Sequence, residues 1–358
     1  MAMIVSHAAA GVTPETYWQL VLPNTPMPKS LIQLLNNVAI VPSSTAPTRA
    51  LAKASNVVGS GSGSSNSPFL YHAYKDAATH DQLKYDPNLV IFFFENELQR
   101  GKGMNLNFTK TTTPFSTFLP REVAETIPFS SKKLLEICAR FDIKPDTLDS
   151  RLMNETLSIC EGEGAEGEDK YCATSLEAML DFSTSMLGDD EVRAISTEVK
   201  YSTKETTTPL QMYVIQGVKK LADRAVVCHK QNYPYAVFYC HKTDTTTLVY
   251  AMSLVGEDGT KAKAVAICHT DTSKWDPEHL AFRILKVKPG TTTVCHFLPQ
   301  KDFAWVPYRT YPHGLNLPSF EALFLKKSLN MSFGVWILME MMKIDVWVVI
   351  IFRLGKHE

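Results

Sequence analysis

The chain has almost no net charge: 36 Lys and Arg against 37 Asp and Glu in 358 residues leave −1 at neutral pH. No overall field therefore recommends a nucleic acid or an anionic membrane as partner. Long apolar runs are also missing. Residues 331–354 are strongly apolar, but Glu340, Lys343 and Asp345 interrupt them, and no uninterrupted stretch reaches the roughly 18 residues that a bilayer span needs. No membrane span is expected. The common catalytic signatures are absent too, with no GxSxG elbow, no P-loop, no GxGxxG after a strand and no HExxH. Aromatic residues are lacking from position 19 to 68, and no internal repeat is found. Short CxxC spacings, the usual mark of a structural zinc site, do not occur either.

What is present is concentrated between Cys228 and Trp305. Four Cys-His dipeptides fall there, Cys228-His229, Cys240-His241, Cys268-His269 and Cys295-His296, separated by 10, 26 and 25 residues, and eight more intervene before Trp305. The chain holds only 7 cysteines and 10 histidines, so chance would very rarely place four such pairs within 78 positions. Neighbours on an extended strand point to opposite faces. Each pair therefore sends its thiol one way and its imidazole the other, and convergent pairs would gather four sulfurs in one layer and four imidazoles in another. The flanks read as strands: 235–239, 248–254, 264–267, 283–287 and 292–294 are rich in β-branched or aromatic residues. Turn signals at Gly256-Glu257-Asp258-Gly259 and Lys288-Pro289-Gly290 suit hairpins. The sulfurs could close two disulfides. The imidazoles, His229, His241, His269 and His296, could ligate a metal, with copper favoured by an all-nitrogen set and zinc the rival; the alternative is that they only hydrogen-bond in a core which the cysteines staple. A Cys-His nucleophile pair is excluded, because neighbours on a strand diverge.

The pattern resembles the BURP domain of plants, whose signature is four Cys-His pairs at about these spacings followed by a Trp. Further segments carry the resemblance: Phe92-Phe93-Phe94-Glu95 running into Gly101-Lys102-Gly103-Met104-Asn105, then Phe118-Leu119-Pro120, Cys172-Ala173-Thr174-Ser175-Leu176-Glu177, Tyr233-Pro234-Tyr235 and Cys295-His296-Phe297-Leu298-Pro299. It covers residues 91–307. The resemblance implies a secreted protein of the apoplast or cell wall, most similar to the dehydration-responsive and embryo types, with a wall polysaccharide or wall protein as partner. Its alternative implication is a copper-dependent peptide cyclase, which crosslinks Tyr or Trp side chains of a core peptide. Tyr17, Trp18, Tyr71 and Tyr74 are the candidate crosslinking residues ahead of Tyr85. A secretory leader is expected of the family, yet Met1 to Ala10 lacks a charged n-region and a full apolar core, so an absent or truncated leader is expected. The segment from 308 to 358 departs from the family pattern and is expected to be an atypical tail, of the kind intron readthrough would leave.

The remainder of the chain is read as packing and tethers. Residues 1–40 form a lead segment with a Pro-rich entry to a short helix at Leu31, Leu34 and Leu35; residues 41–68 are a Ser, Gly and Ala linker; residues 69–90 connect to the domain. Leu134, Leu135, Cys138 and Phe141 share a helix face after Ser130 or Ser131, and a second helix starts at Thr174, with Glu177 completing a capping box, and stops near Gly188. Between them, Cys160 and Cys172 enclose eleven residues with five carboxylates, expected to be a solvated loop that a disulfide would stabilise by about 3 kcal/mol. Cys138 is then the odd, buried thiol. Sequons at Asn107, Asn154 and Asn330 would permit glycosylation. The fold class expected is α+β, a largely antiparallel sheet carrying the Cys-His pairs with helices preceding it.

Overall fold

A computed structural model describes residues 11–36, 92–108, 116–188, 192–202 and 210–307. The linker, the connecting segment, the tail, Tyr71, Tyr74 and Asn330 lie outside the described residues. By compactness the chain divides after Pro307, and its second unit, Tyr308–Glu358, is also outside them.

The first unit is α+β. Helices α1 (Pro14–Val21) and α2 (Lys29–Asn36) come first, then strands β1 (Phe92–Phe94) and β2 (Gly103–Asn107). Helices α3 (Arg121–Glu125), α4 (Leu134–Arg140) and α5 (Leu148–Glu161) lead to β3 (Glu168–Ala173) and α6 (Leu176–Leu187). Strands β4 (Val192–Ile195), β5 (Glu198–Lys200), β6 (Leu210–Ala222), β7 (Val226–Lys230), β8 (Phe238–Thr243), β9 (Thr247–Gly256) and β10 (Lys261–His269) follow; α7 (Leu280–Leu285), β11 (Val294–Leu298) and β12 (Phe303–Pro307) complete the unit. The strands form two antiparallel sheets rather than one. A seven-stranded sheet runs β1-β11-β10-β9-β6-β2 with β5 also paired to β10, and a five-stranded sheet runs β3-β8-β7-β12-β4.

Strand alternation sorts the side chains into layers. Val227, Val249, Val265, Ile267, Leu298, Ala304 and Val306 come from both sheets and form one apolar cluster between them. Cys228, Cys240, Phe238 and Trp305 face the other side of the five-stranded sheet, where α1, α2 and α6 cover them through Trp18, Leu31, Leu34, Met179 and Leu180. Cys268 and Cys295 face the far side of the seven-stranded sheet with Phe93, Met104, Tyr213 and Leu254. The expected single layer of sulfurs is thus corrected to two layers, because the four dipeptides are shared between two sheets. The lead segment is built into the core: Trp18 and Trp305 are fully buried with ring centroids 5.7 Å apart, and the Trp18 indole donates to the Thr25 carbonyl at 2.7 Å.

Several local expectations change. Helix α6 is capped by Ser175, whose extended backbone lets its hydroxyl accept from the Ala178 amide; Glu177 makes no capping box and instead accepts from the Arg121 amide. Helix α5, capped by Thr147, was not read from the sequence. Residues 283–287, expected as a strand, belong largely to α7, because Ala281 and Phe282 pack with Phe92 and Val294 and His279 caps the helix end. Leu135, expected on the buried face of α4, is exposed, while Ile137 and Cys138 are buried. The Gly256–Gly259 turn joins β9 to β10 as expected, whereas the turn at Lys288 follows a helix.

Candidate metal centre

Both pairs of dipeptides are assembled in the same way. Strands β7 and β8 place Cys228 opposite Cys240, and β10 and β11 place Cys268 opposite Cys295. The directly opposed Cα atoms, 3.9 and 4.0 Å apart, are linked as disulfides. Each histidine is one residue further along, so it emerges on the reverse face and diagonally across from its neighbour. The result is two imidazoles per sheet turned into the space between sheets. His229 and His241 have ring centroids 5.3 Å apart, His269 and His296 lie 5.7 Å apart and nearly parallel, and His229 reaches across to His296 at 6.5 Å. All four line one cavity of about 410 Å³.

The sequence reading missed the residues that support and extend this cluster. The Asp302 carboxylate, fully buried, accepts from Nδ1 of His229 at 2.8 Å and from the Lys230 amide at 3.0 Å. Oε1 of Glu168 lies 2.5 Å from Nδ1 of His241, at ion-pair distance though outside hydrogen-bond alignment. Burial alone would raise the Glu168 carboxyl. The His241 imidazole, the Ala165 amide and the Tyr239 hydroxyl oppose this and hold it down at about 2. Glu168 sits in the acidic loop expected to be solvated, and nothing in composition separates it from its four solvated neighbours. A fifth histidine, His279, and Trp275 also line the cavity, with Trp275 4.5 Å from His279 and 5.0 Å from His269 between ring centroids. Neither belongs to a repeated motif, so no pattern marked them.

The imidazoles of His269, His296 and His279 are held neutral. Burial, with the neighbouring histidines adding to it, depresses His269 far below its ordinary value and brings His296 to about 3, even though the Phe297 carbonyl at 3.2 Å pulls the other way. Burial takes His279 to about 4. Neutral imidazole is the form that binds a metal.

Two imidazoles on one ion with bonds of about 2.0–2.1 Å would have ring centroids roughly 4.5–6.5 Å apart, and the three separations given above fall in that range. Nδ1 of His269 is buried with no hydrogen-bond partner, a desolvated lone pair that a ligand would satisfy. Among the described residues no three His, Cys, Asp or Glu side chains meet at ligand distance in this arrangement of the rings.

These bounds coincide with a known family. The BURP domain matches residues 91–307, which take in both sheets and all four dipeptides. The chain belongs to the BURP-domain family. It is similar to BURP domain protein RD22 of Arabidopsis thaliana, at 51% identity over 246 residues, 67% of this chain and 61% of that protein. BURP domain-containing protein 3 of rice (Oryza sativa subsp. japonica) is 49% identical over 243 residues, covering 66% and 54%. Rice BURP domain-containing protein 5 is 43% identical over 303 residues, covering 84% and 88%. The chain thus spans only about three fifths of the RD22 relative and half of rice protein 3.

The other candidate residues fall elsewhere. Cys160 and Cys172 form the third disulfide, Cα atoms 5.7 Å apart, and Cys138 is the buried free thiol. Tyr17 and Trp18 do not line the cavity. The Tyr17 hydroxyl donates to Asp181 at 2.5 Å beneath the Arg121 guanidinium, and burial followed by the Asp181 carboxylate pushes its pKa up to about 12. Asn107 ends β2, and Asn154 is half-buried within α5, where the Thr156 hydroxyl of its sequon is buried and donates to the Asn232 carbonyl. No described helix is long and apolar enough to cross a membrane.

Proposed function

We propose that the chain is a secreted, cell-wall-associated BURP protein of the stress and developmental type that holds one copper ion between its two sheets. The observation that carries this reading is the convergence of His229, His241, His269 and His296, two from each sheet, on a single cavity. Four imidazoles suit copper or zinc, and an all-nitrogen set favours Cu(II). The three disulfides fit an oxidising compartment, as does a fold whose cysteines are all consumed except one buried thiol. A wall polysaccharide or wall protein is the partner this reading implies.

The cavity supports a second reading, peptide crosslinking. Copper bound there would supply one-electron oxidation of an aromatic ring, with dissolved dioxygen as the final acceptor of the two electrons that a two-hydrogen crosslink releases. The chain's own residues would bind and orient that ring: the cavity of about 410 Å³ accommodates a side chain, Trp275 offers a stacking face, and the inter-sheet apolar cluster limits water. Tyr17 and Trp18 are anchored behind the five-stranded sheet, so the ring would come from another chain or from Tyr71 or Tyr74.

Purified protein loaded with Cu(II), Zn(II) or nothing decides between these readings. Bound copper with unchanged peptide masses supports the first. Copper-dependent loss of two hydrogen atoms from a Tyr- or Trp-containing peptide, its own or added, supports the second. Failure to bind any metal overturns both.

A further inference from the structure

The four histidines are not equivalent, and the difference follows the sheets. On the five-stranded sheet each imidazole has a carboxylate at its Nδ1. Asp302, fully buried, takes the Nδ1 proton of His229 at 2.8 Å and is itself fixed by the Lys230 amide. Glu168 approaches Nδ1 of His241 to 2.5 Å, at ion-pair distance though outside hydrogen-bond alignment, and is fixed by the Ala165 amide at 2.9 Å and the Tyr239 hydroxyl at 3.1 Å. On the seven-stranded sheet the contacts differ: Nδ1 of His296 lies 3.2 Å from the weaker carbonyl of Phe297, and Nδ1 of His269 has no hydrogen-bond partner.

An ionised carboxylate can only accept, so it keeps the proton on Nδ1 and leaves the Nε2 lone pair for a metal, while raising its basicity. We propose that Asp302 and Glu168 are positioning residues that fix Nε2 of His229 and His241 as the metal-facing atoms, making that pair the anchoring half of the site and His269 with His296 the adjustable half. This rests on the copper reading above. It adds a division of labour: the anchoring pair is pre-oriented before metal arrives, and His269, whose two ring nitrogens are both uncommitted to a carboxylate, turns to complete the set.

The first test needs no variant. Nitrogen-15 NMR of the metal-free native protein should show His229 and His241 as Nδ1–H tautomers; finding Nε2–H on His229 overturns the proposal. The second test titrates glycine-buffered Cu(II) into the native chain and into Asp302→Asn and Glu168→Gln, with intact disulfides confirmed by mass. Each variant should bind about 10–100-fold more weakly, with a changed Cu(II) paramagnetic resonance spectrum, and Glu168→Asp should recover part of the loss. His269→Gln should cost less affinity than His229→Gln. Equal affinity in folded variants, or the reverse order for the two histidines, overturns the proposal and leaves the copper reading standing. A native chain that takes up no Cu(II) overturns both.

Discussion

Replacing His279 by Asn should change how the metal-free fold responds to acid. His279 is only 4% exposed, enclosed by Trp275, Phe92 and Phe282, and its Nδ1 accepts from the Ala281 amide at 3.2 Å at the start of α7. Protonation would set a donor against that donor and a charge in an apolar cluster. Burial accordingly lowers its pKa from 6.5 to about 4, with Asp276 only partly opposing the shift. A folded pKa below the unfolded one means that the unfolded chain takes up the proton first. Stability from this residue is therefore full above pH 6.5 and declines as pH falls towards 4. A difference of about 2.5 pH units corresponds to roughly 3 kcal/mol lost by pH 4. Asn still offers an N-cap acceptor but does not titrate. At pH 7 His279→Asn should be the less stable protein, because it loses the ring's packing. By pH 4 the gap should shrink or reverse, changing by on the order of 3 kcal/mol. Urea unfolding of both proteins at pH 7 and pH 4 measures it. A gap that stays constant would mean that His279 protonates freely in the fold and that the physical account of the cavity wall is mistaken.

Other perturbations probe the layers around the site. Trp18→Ala should destabilise by about 3–5 kcal/mol in denaturant unfolding, the usual cost of emptying a fully buried aromatic position; a loss under 1 kcal/mol would contradict the docking of the lead segment on Trp305. Removing the Cys268–Cys295 bridge by a double Ala substitution should cost about 3–4 kcal/mol, and removing Cys228–Cys240, with its shorter loop, about 3 kcal/mol; both should lower metal affinity as well, since each bridge holds two histidine-bearing strands. Gly167 has φ +77°, and a Cβ there would lie 2.6 Å from an Asp244 carboxylate oxygen. Gly167→Ala should lower the thermal midpoint, at a cost of roughly 1–3 kcal/mol, and weaken copper binding through the adjoining Glu168.

The four motif histidines were legible because the chemistry of a Cys-His dipeptide depends only on neighbours in sequence: wherever the strand lies, thiol and imidazole part company. The pairing was not. Which cysteine opposes which is fixed by strand partners far apart in the chain, so the two-sheet arrangement, and with it the two sulfur layers, could not be read from spacing. Asp302 and Glu168 illustrate the same limit more sharply. Each is an ordinary acid in a loop or at a strand start, and becomes part of the site only because β12 and β3 lie in the same sheet as β7 and β8. The misread strand at 283–287 has a local cause: Leu285 and Val287 alternate with Lys286, but Ala281 and Phe282 are the residues that bury, and that contact selects the helix. Trp305, the last mark of the motif, proved to be a core residue behind the sheet, held against Trp18.

The central claim is that one metal ion is shared by histidines from both sheets. Native mass spectrometry of the Cu(II)-treated protein tests it directly, comparing the native chain with His229→Ala and His269→Ala, one ligand from each sheet, singly and together. The account predicts one copper per native chain, weaker retention in each single variant and none in the double variant with all three disulfides intact. A native chain without metal, or a double variant that still carries one copper, would contradict it.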